Sequence, residues 1–150
     1  MSKTRELVHH ILVDVFNDVL DLQEKYLRNQ GINLGISEVH TLEAIDKAKE
    51  NNRMTDIANE LNITLSTLSI NIKRLINKGY VKKETNQHDR RVVHLTLTES
   101  AYQILEIHKE FHEELVSSFF DDLDIGEDQL LLDSLEKIDA YLTKMIENFK

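Results

Sequence analysis

The sequence has no cysteine, no proline and no tryptophan, and only four glycines in 150 residues. Without cysteine, neither structural disulfides nor thiol-based sensing can operate within the chain, which fits a reducing compartment. Without proline and with little glycine, long uninterrupted helices are favoured over a loop-rich fold. No apolar run is long enough to span a bilayer and the N-terminus lacks a signal-peptide pattern. A cytoplasmic protein with no membrane partner is therefore expected. No Ser/His/Asp set, glycine-rich phosphate loop or carboxylate pair stands out, so an enzyme is not expected. An excess of positive charge is also missing: the net charge is −9.

That charge is unevenly spread. From Thr64 to His94 there are seven basic residues, Lys73, Arg74, Lys78, Lys82, Lys83, Arg90 and Arg91, against Glu84 and Asp89. The segment is +5, which leaves −14 on the remainder. Salt screens charges beyond about 8 to 10 Å, so the local field decides whether a face attracts a polyanion.

The basic segment lies in a run with its own pattern, Met54 to Thr98, MTDIANELNITLSTLSINIKRLINKGYVKKETNQHDRRVVHLTLT. A first helix is expected from Thr55, as cap, to Leu61, with Ile57, Ala58 and Leu61 on one stripe. Asn62-Ile63-Thr64 makes a turn, and Thr64 caps a second helix that runs to about Lys78. Leu65, Leu68, Ile72, Leu75 and Ile76 share its apolar face. Ser66, Thr67, Ile70, Asn71 and Arg74 form the opposite face, with groups that reach base edges or phosphates. Ile70 is an odd solvent residue unless it packs on a thymine methyl. Gly79 closes the helix in the left-handed conformation. Tyr80 to Glu84 and Val92 to Leu97 alternate as two strands, with Lys82 and Lys83 in the first. The polar stretch from Asn86 to Arg91 between them reads as a wing tip. There Arg90 or Arg91 is expected in a minor groove, and Asp89 accepts from Arg91 to hold the loop. A helix-turn-helix with a two-stranded wing results, and double-stranded DNA is the expected partner.

Long helical patterns flank this module. Leu7, Ile11, Val15, Val19, Leu22 and Tyr26 recur between Lys3 and Asn29, and Leu12, Phe16 and Leu20 widen the stripe beyond one neighbour's needs. Ser37 is expected to cap a helix from Glu38 to about Lys49. Thr98 is expected to cap a helix from Glu99 to about Asp121, and Gly126 marks a break before a final helix. The fold class expected is mainly α, a winged helix-turn-helix with long N- and C-terminal dimerisation helices. The chain reads as one domain, 1–150: dimerisation helices at 1–36 and 122–150, the winged module at 37–98, and a connecting helix at 99–121. A homodimer is expected, since helix-turn-helix proteins read two half-sites about one DNA turn apart.

Several segments together resemble a known family. Ile57-Ala58-x-x-Leu61, Thr64 to Ile76, Lys78-Gly79-Tyr80-Val81, and Asp89-Arg90-Arg91-Val92-Val93-His94-Leu95-Thr96-Leu97-Thr98 are similar to MarR-family transcriptional regulators. Ser100-Ala101 stands where many relatives carry a glycine. The resemblance implies an obligate homodimer, a pseudo-palindromic operator and repression by excluding polymerase. A narrower likeness is to the FabT branch, carried by His40-Thr41, Ala44-Ile45-x-Lys47-Ala48, Thr64-Leu65-x-Thr67-x-Ser69, Asp89 to Thr98 and His108-Lys109-x-Phe111-His112. This branch implies repression of fatty-acid biosynthesis genes with long-chain acyl-acyl carrier protein as corepressor. It would need an effector pocket, to which His40, His108, Phe111 and His112 are assigned.

The histidines carry a competing possibility. His108 and His112 stand four apart on one helix, a spacing that suits zinc, and His40 would be the third ligand. The zinc-responsive branch of the same family is similar in using histidines in these regions. No cofactor is expected on the first reading, and zinc on the second. The same residues also fit hydrogen-bonded histidines in a partly polar interior.

Overall fold

Thr64 stops the chain between two helices and starts the second. Its backbone is extended (φ −73°, ψ 153°) and its side chain accepts from the Thr67 amide. The preceding helix ends with Asn62 in the left-handed region at φ 54°. There the Asn62 amide bonds the Asn59 carbonyl and the Ile63 amide bonds that of Ala58. The second helix ends the same way at Gly79 (φ 80°), with Gly79 N bonding Ile76 O and Tyr80 N bonding Leu75 O. This paired closure satisfies carbonyls that a helix end otherwise leaves open.

The structure is a computed structural model and describes residues 2–50, 52–85, 93–123 and 128–148. In chain order the elements are α1 (Lys3–His10), a π-helical turn (Ile11–Val15), α2 (Phe16–Asn29), α3 (Ile36–Ala48), α4 (Met54–Glu60), α5 (Leu65–Asn77), β1 (Val81–Thr85), β2 (Val93–Leu97), α6 (Glu99–Leu123) and α7 (Gln129–Asn148). The two strands pair antiparallel, Val81 opposite Leu97 and Thr85 opposite Val93. The chain forms two compact units, Met1–Phe111 and His112–Lys150, divided within the connecting helix.

In the first unit, Leu27, Val39, Leu42, Ile57, Leu68, Leu75 and Leu95 are at most 1% exposed and form one apolar cluster. Each comes from a different turn of α2, α3, α4, α5 or β2, so the core locks the reading helices to the wing. At roughly 1.5–3 kcal/mol per fully buried aliphatic side chain, such a cluster supplies the main cohesion of the unit. Ala58, 3% exposed, sits in the same apolar cluster.

Several boundaries differ from the sequence expectation. Helix α4 starts at Met54 with Arg53 as its cap residue, so Thr55 lies inside the first turn. Helix α3 starts at Ile36 after Gly35, and Ser37 is likewise inside. Two carboxylates replace the serine cap: Glu38 Oε2 accepts from Gly35 N at 3.0 Å, and Glu24 Oε1 from α2 accepts from Ile36 N at 3.0 Å. A charged acceptor at a helix N-terminus also meets the positive end of the helix dipole. Glu38 is held in turn by Lys78, whose ammonium donates to both carboxylate oxygens (3.0 and 2.8 Å) and to the Asn33 carbonyl (2.9 Å). The end of α5 is thereby fastened to the start of α3. On α5, Leu68, Ile72 and Leu75 are buried as expected, but Leu65 is 47% and Ile76 37% exposed. The inward arc is narrower than the apolar stripe.

Candidate nucleic-acid interface and effector region

Helix α5 turns about 100° per residue, so its buried residues Leu68, Ile72 and Leu75 fix the opposite pole. Ser66, Ile70, Lys73 and Asn77 lie there, all exposed, with Thr67 and Arg74 on one flank and Ser69 on the other. Ile70 is 55% exposed, an aliphatic group held out in solvent on the very face expected to read base edges. Lys82 and Lys83 are exposed on β1. Between α5 and β1 runs a groove of about 300 Å³, with Ser69, Lys73, Asn77 and Lys83 around a floor that includes Ile72 and Ile76. Sequence reasoning passed over Ser69, Lys73 and Asn77. Their signal was available, since they follow the same helical period as Ser66 and Ile70.

Asn71 requires a correction. Expected on the outer face, it is 8% exposed, and its Nδ2 donates to Thr41 Oγ1 at 3.4 Å. Thr41 is itself fully buried and donates to the Ser37 carbonyl at 2.7 Å. The amide thus joins α5 to α3. Asp89, Arg90 and Arg91 lie outside the described residues, as does the whole expected wing tip.

The base of the wing is described in full. Thr98 N donates to Tyr80 O at 3.0 Å, and its hydroxyl donates to Gly79 O at 2.8 Å. The same oxygen accepts from Ala101 N at 3.4 Å, the cap expected for α6. On the other edge of β2, Leu95 N donates to Asn52 O at 3.0 Å.

Of the residues assigned to an effector, His40, His108 and Phe111 lie in the first unit, and two of them, His40 and His108, face each other. His108 on α6 is 1% exposed and both ring nitrogens are engaged, Nδ1 to Glu43 Oε1 at 2.9 Å and Nε2 to the Gln23 amide at 3.0 Å. A carboxylate only accepts, so Nδ1 carries a proton, and Nε2 faces the Gln23 amide oxygen Oε1. The half-buried His40 ring stands edge-on to His108, centroids 6.0 Å apart. Burial lowers the His40 pKa from the ordinary histidine value; Glu43 opposes this and His108 adds to it. Phe111 is buried against Tyr26, ring centroids 5.2 Å apart. His112 belongs to the second unit and is exposed. Among the described residues no group of three histidine, cysteine or acidic side chains is arranged to hold a metal ion. The site as described is a hydrogen-bonded polar cluster joining α2, α3 and α6.

A helix-turn-helix with a basic outer pole and a wing defines a class, the winged-helix DNA-binding proteins. The family model described as a winged helix DNA-binding domain matches residues 34–101. Comparison with curated protein sequences gives no match. Among solved structures, the chain is similar to Streptococcus pneumoniae FabT in complex with DNA, at 30% identity, over 97% of this chain and 99% of that one, with a TM-score of 0.80. S. aureus MepR in its DNA complex shares the fold at 19% identity (95% and 97% covered, TM-score 0.73). So does AbsC, a MarR family transcriptional regulator from Streptomyces coelicolor, at 23% identity (99% and 96%, TM-score 0.71). The chain belongs to the MarR family of transcriptional regulators. It is a winged-helix DNA-binding regulator.

Proposed function

We propose that this regulator represses fatty-acid biosynthesis genes, binding a pseudo-palindromic operator as a homodimer with long-chain acyl-acyl carrier protein as corepressor. The observation that carries the reading is the 30% identity to FabT over 97% of the chain. It accords with the segments, His40-Thr41 and His108 to His112 among them, that lie away from the reading head.

The second copy is supported by apolar surface. Among the described residues of α1, the π-helical turn and α7, none is buried. Leu7, Ile11, Leu12 and Phe16 are each 47–61% exposed at the N-terminal end, and Leu130, Leu135 and Ile146 are 54–77% exposed on α7. Apolar surface of that extent marks an association site, and two copies would set two reading helices for two half-sites.

The decisive experiment is a gel shift with candidate promoter DNA, with and without long-chain acyl-acyl carrier protein, and with and without zinc. Tighter binding with the acylated carrier alone supports the corepressor reading. A response to zinc alone would replace it with the metal-responsive one.

A further inference from the structure

The wing leaves the helical body at β2, and something must set its angle. One edge of β2 is spent on β1. The other meets the turn before α4, where Arg53 pairs with His94 in an isolated bridge. Asn52 makes three bonds there. Its carbonyl accepts from Leu95 N at 3.0 Å, its Nδ2 donates to Leu95 O at 2.8 Å, and its Oδ1 faces His94 Nδ1 at 2.7 Å. Since Nδ2 is committed to a carbonyl, Oδ1 is the acceptor and His94 Nδ1 carries the proton. Leu95, fully buried between these bonds, is the apolar pin of the same joint.

We propose that Asn52 is a positioning residue for DNA binding: it clips wing strand β2 to the residue next to the start of α4, so that the wing and α5 meet the duplex as one body. The proposal rests on the reading that the wing tip touches DNA. The backbone bond from Leu95 N alone would let β2 pivot about its pairing with β1. The side-chain bonds tie down consecutive residues of β2, Leu95 and His94, and resist that pivot. Asparagine is the side chain of this length that donates and accepts at once. Aspartate would turn an oxygen toward the Leu95 carbonyl. Asn52 also borders an open cleft of about 480 Å³, so truncating it opens no void in the core.

The test measures affinity against salt concentration for a duplex that the wild-type protein selects from a random-sequence pool. On B-DNA the slope of log K against log salt falls by about 0.9 for each phosphate that the protein no longer neutralises. Asn52→Ala is expected to lower the slope as far as Arg90→Ala/Arg91→Ala does, and the triple variant no further, with the selected sequence unchanged. His94→Asn, which retains a donor near the Nδ1 position, is expected to keep more of the slope than His94→Val; this pair answers the question should Asn52→Ala not fold. If the arginine variant loses slope while Asn52→Ala and His94→Val keep it, the positioning role is overturned and the wing's hold on DNA stands. If the arginine variant loses nothing, the wing does not touch DNA and the proposal fails with it.

Discussion

Asn71 of the reading helix and Thr41 of α3 share a hydrogen bond of 3.4 Å inside the protein. A residue whose chemistry suits adenine recognition is thereby spent on internal fastening. Asn71→Ala is expected to cost about 1 kcal/mol of stability, the net worth of a typical internal hydrogen bond. The preferred operator sequence should not change. Urea unfolding and binding-site selection check the two halves, and an altered base preference would return Asn71 to the DNA face.

Lys73 takes a place on that face instead. It is exposed at the outward pole of α5, and it shares with Lys83 the groove beside the wing. Lys73→Ala should weaken binding to all duplexes alike and lower the salt slope by about one. Titrations of specific and scrambled duplexes at several salt concentrations would show it. A loss confined to the specific duplex would mean that Lys73 reads a base.

Glu38 and Lys78 form the charged fastening between α3 and α5. Glu38 has 7% of its side chain exposed and Lys78 35%. Lys78→Met should cost roughly 2 kcal/mol, below the 3–5 kcal/mol typical of breaking a fully buried pair, since water reaches the ammonium and Gly35 N still serves the carboxylate. Denaturant titration measures this, and a neutral result would show that the pair contributes nothing net.

His40 makes stability depend on pH. Its folded pKa lies below the usual value of about 6.5, so near and below that pH the unfolded chain binds more protons than the folded one. Stability is therefore full above about pH 7 and falls as the pH drops through 6.5. Melting curves across this range should show the loss, and His40→Gln should flatten it. An equal slope in the variant would assign the effect to other groups.

The exposed N-terminal helix gives the oligomer test. Leu12→Glu puts a charge among Leu7, Ile11 and Phe16. Sedimentation should find the unaltered chain dimeric at micromolar concentration and the variant monomeric. A monomeric unaltered chain would remove the basis for paired half-sites.

How much of this was legible in the sequence depended on how local the cause was. The Thr64 cap, the Gly79 closure and the Thr98 cap all act within a few residues, and the structure has each of them. The mainly helical class followed from the absence of proline and the length of the apolar stripes. Asn71 was misplaced because its partner is Thr41, thirty residues away. Ser37 lost the cap to Glu24 and Glu38 because the fold brings in a carboxylate from α2. The π-helical turn left no mark, since Leu7, Ile11, Val15 and Val19 fit an unbroken helical period. In the effector region the sequence pointed to His40, His108, Phe111 and His112 one residue at a time. What the sequence could not give was the pairing: Gln23 and Glu43 occupy the nitrogens of His108.

The hydroxyl of Thr98 serves two helices at once, giving its proton to the carbonyl of Gly79 and taking one from the amide of Ala101. The turn that closes α5 and the first turn of α6 thus share a single oxygen atom. The first turn of α6 therefore cannot turn about its own axis without disturbing the close of the reading helix.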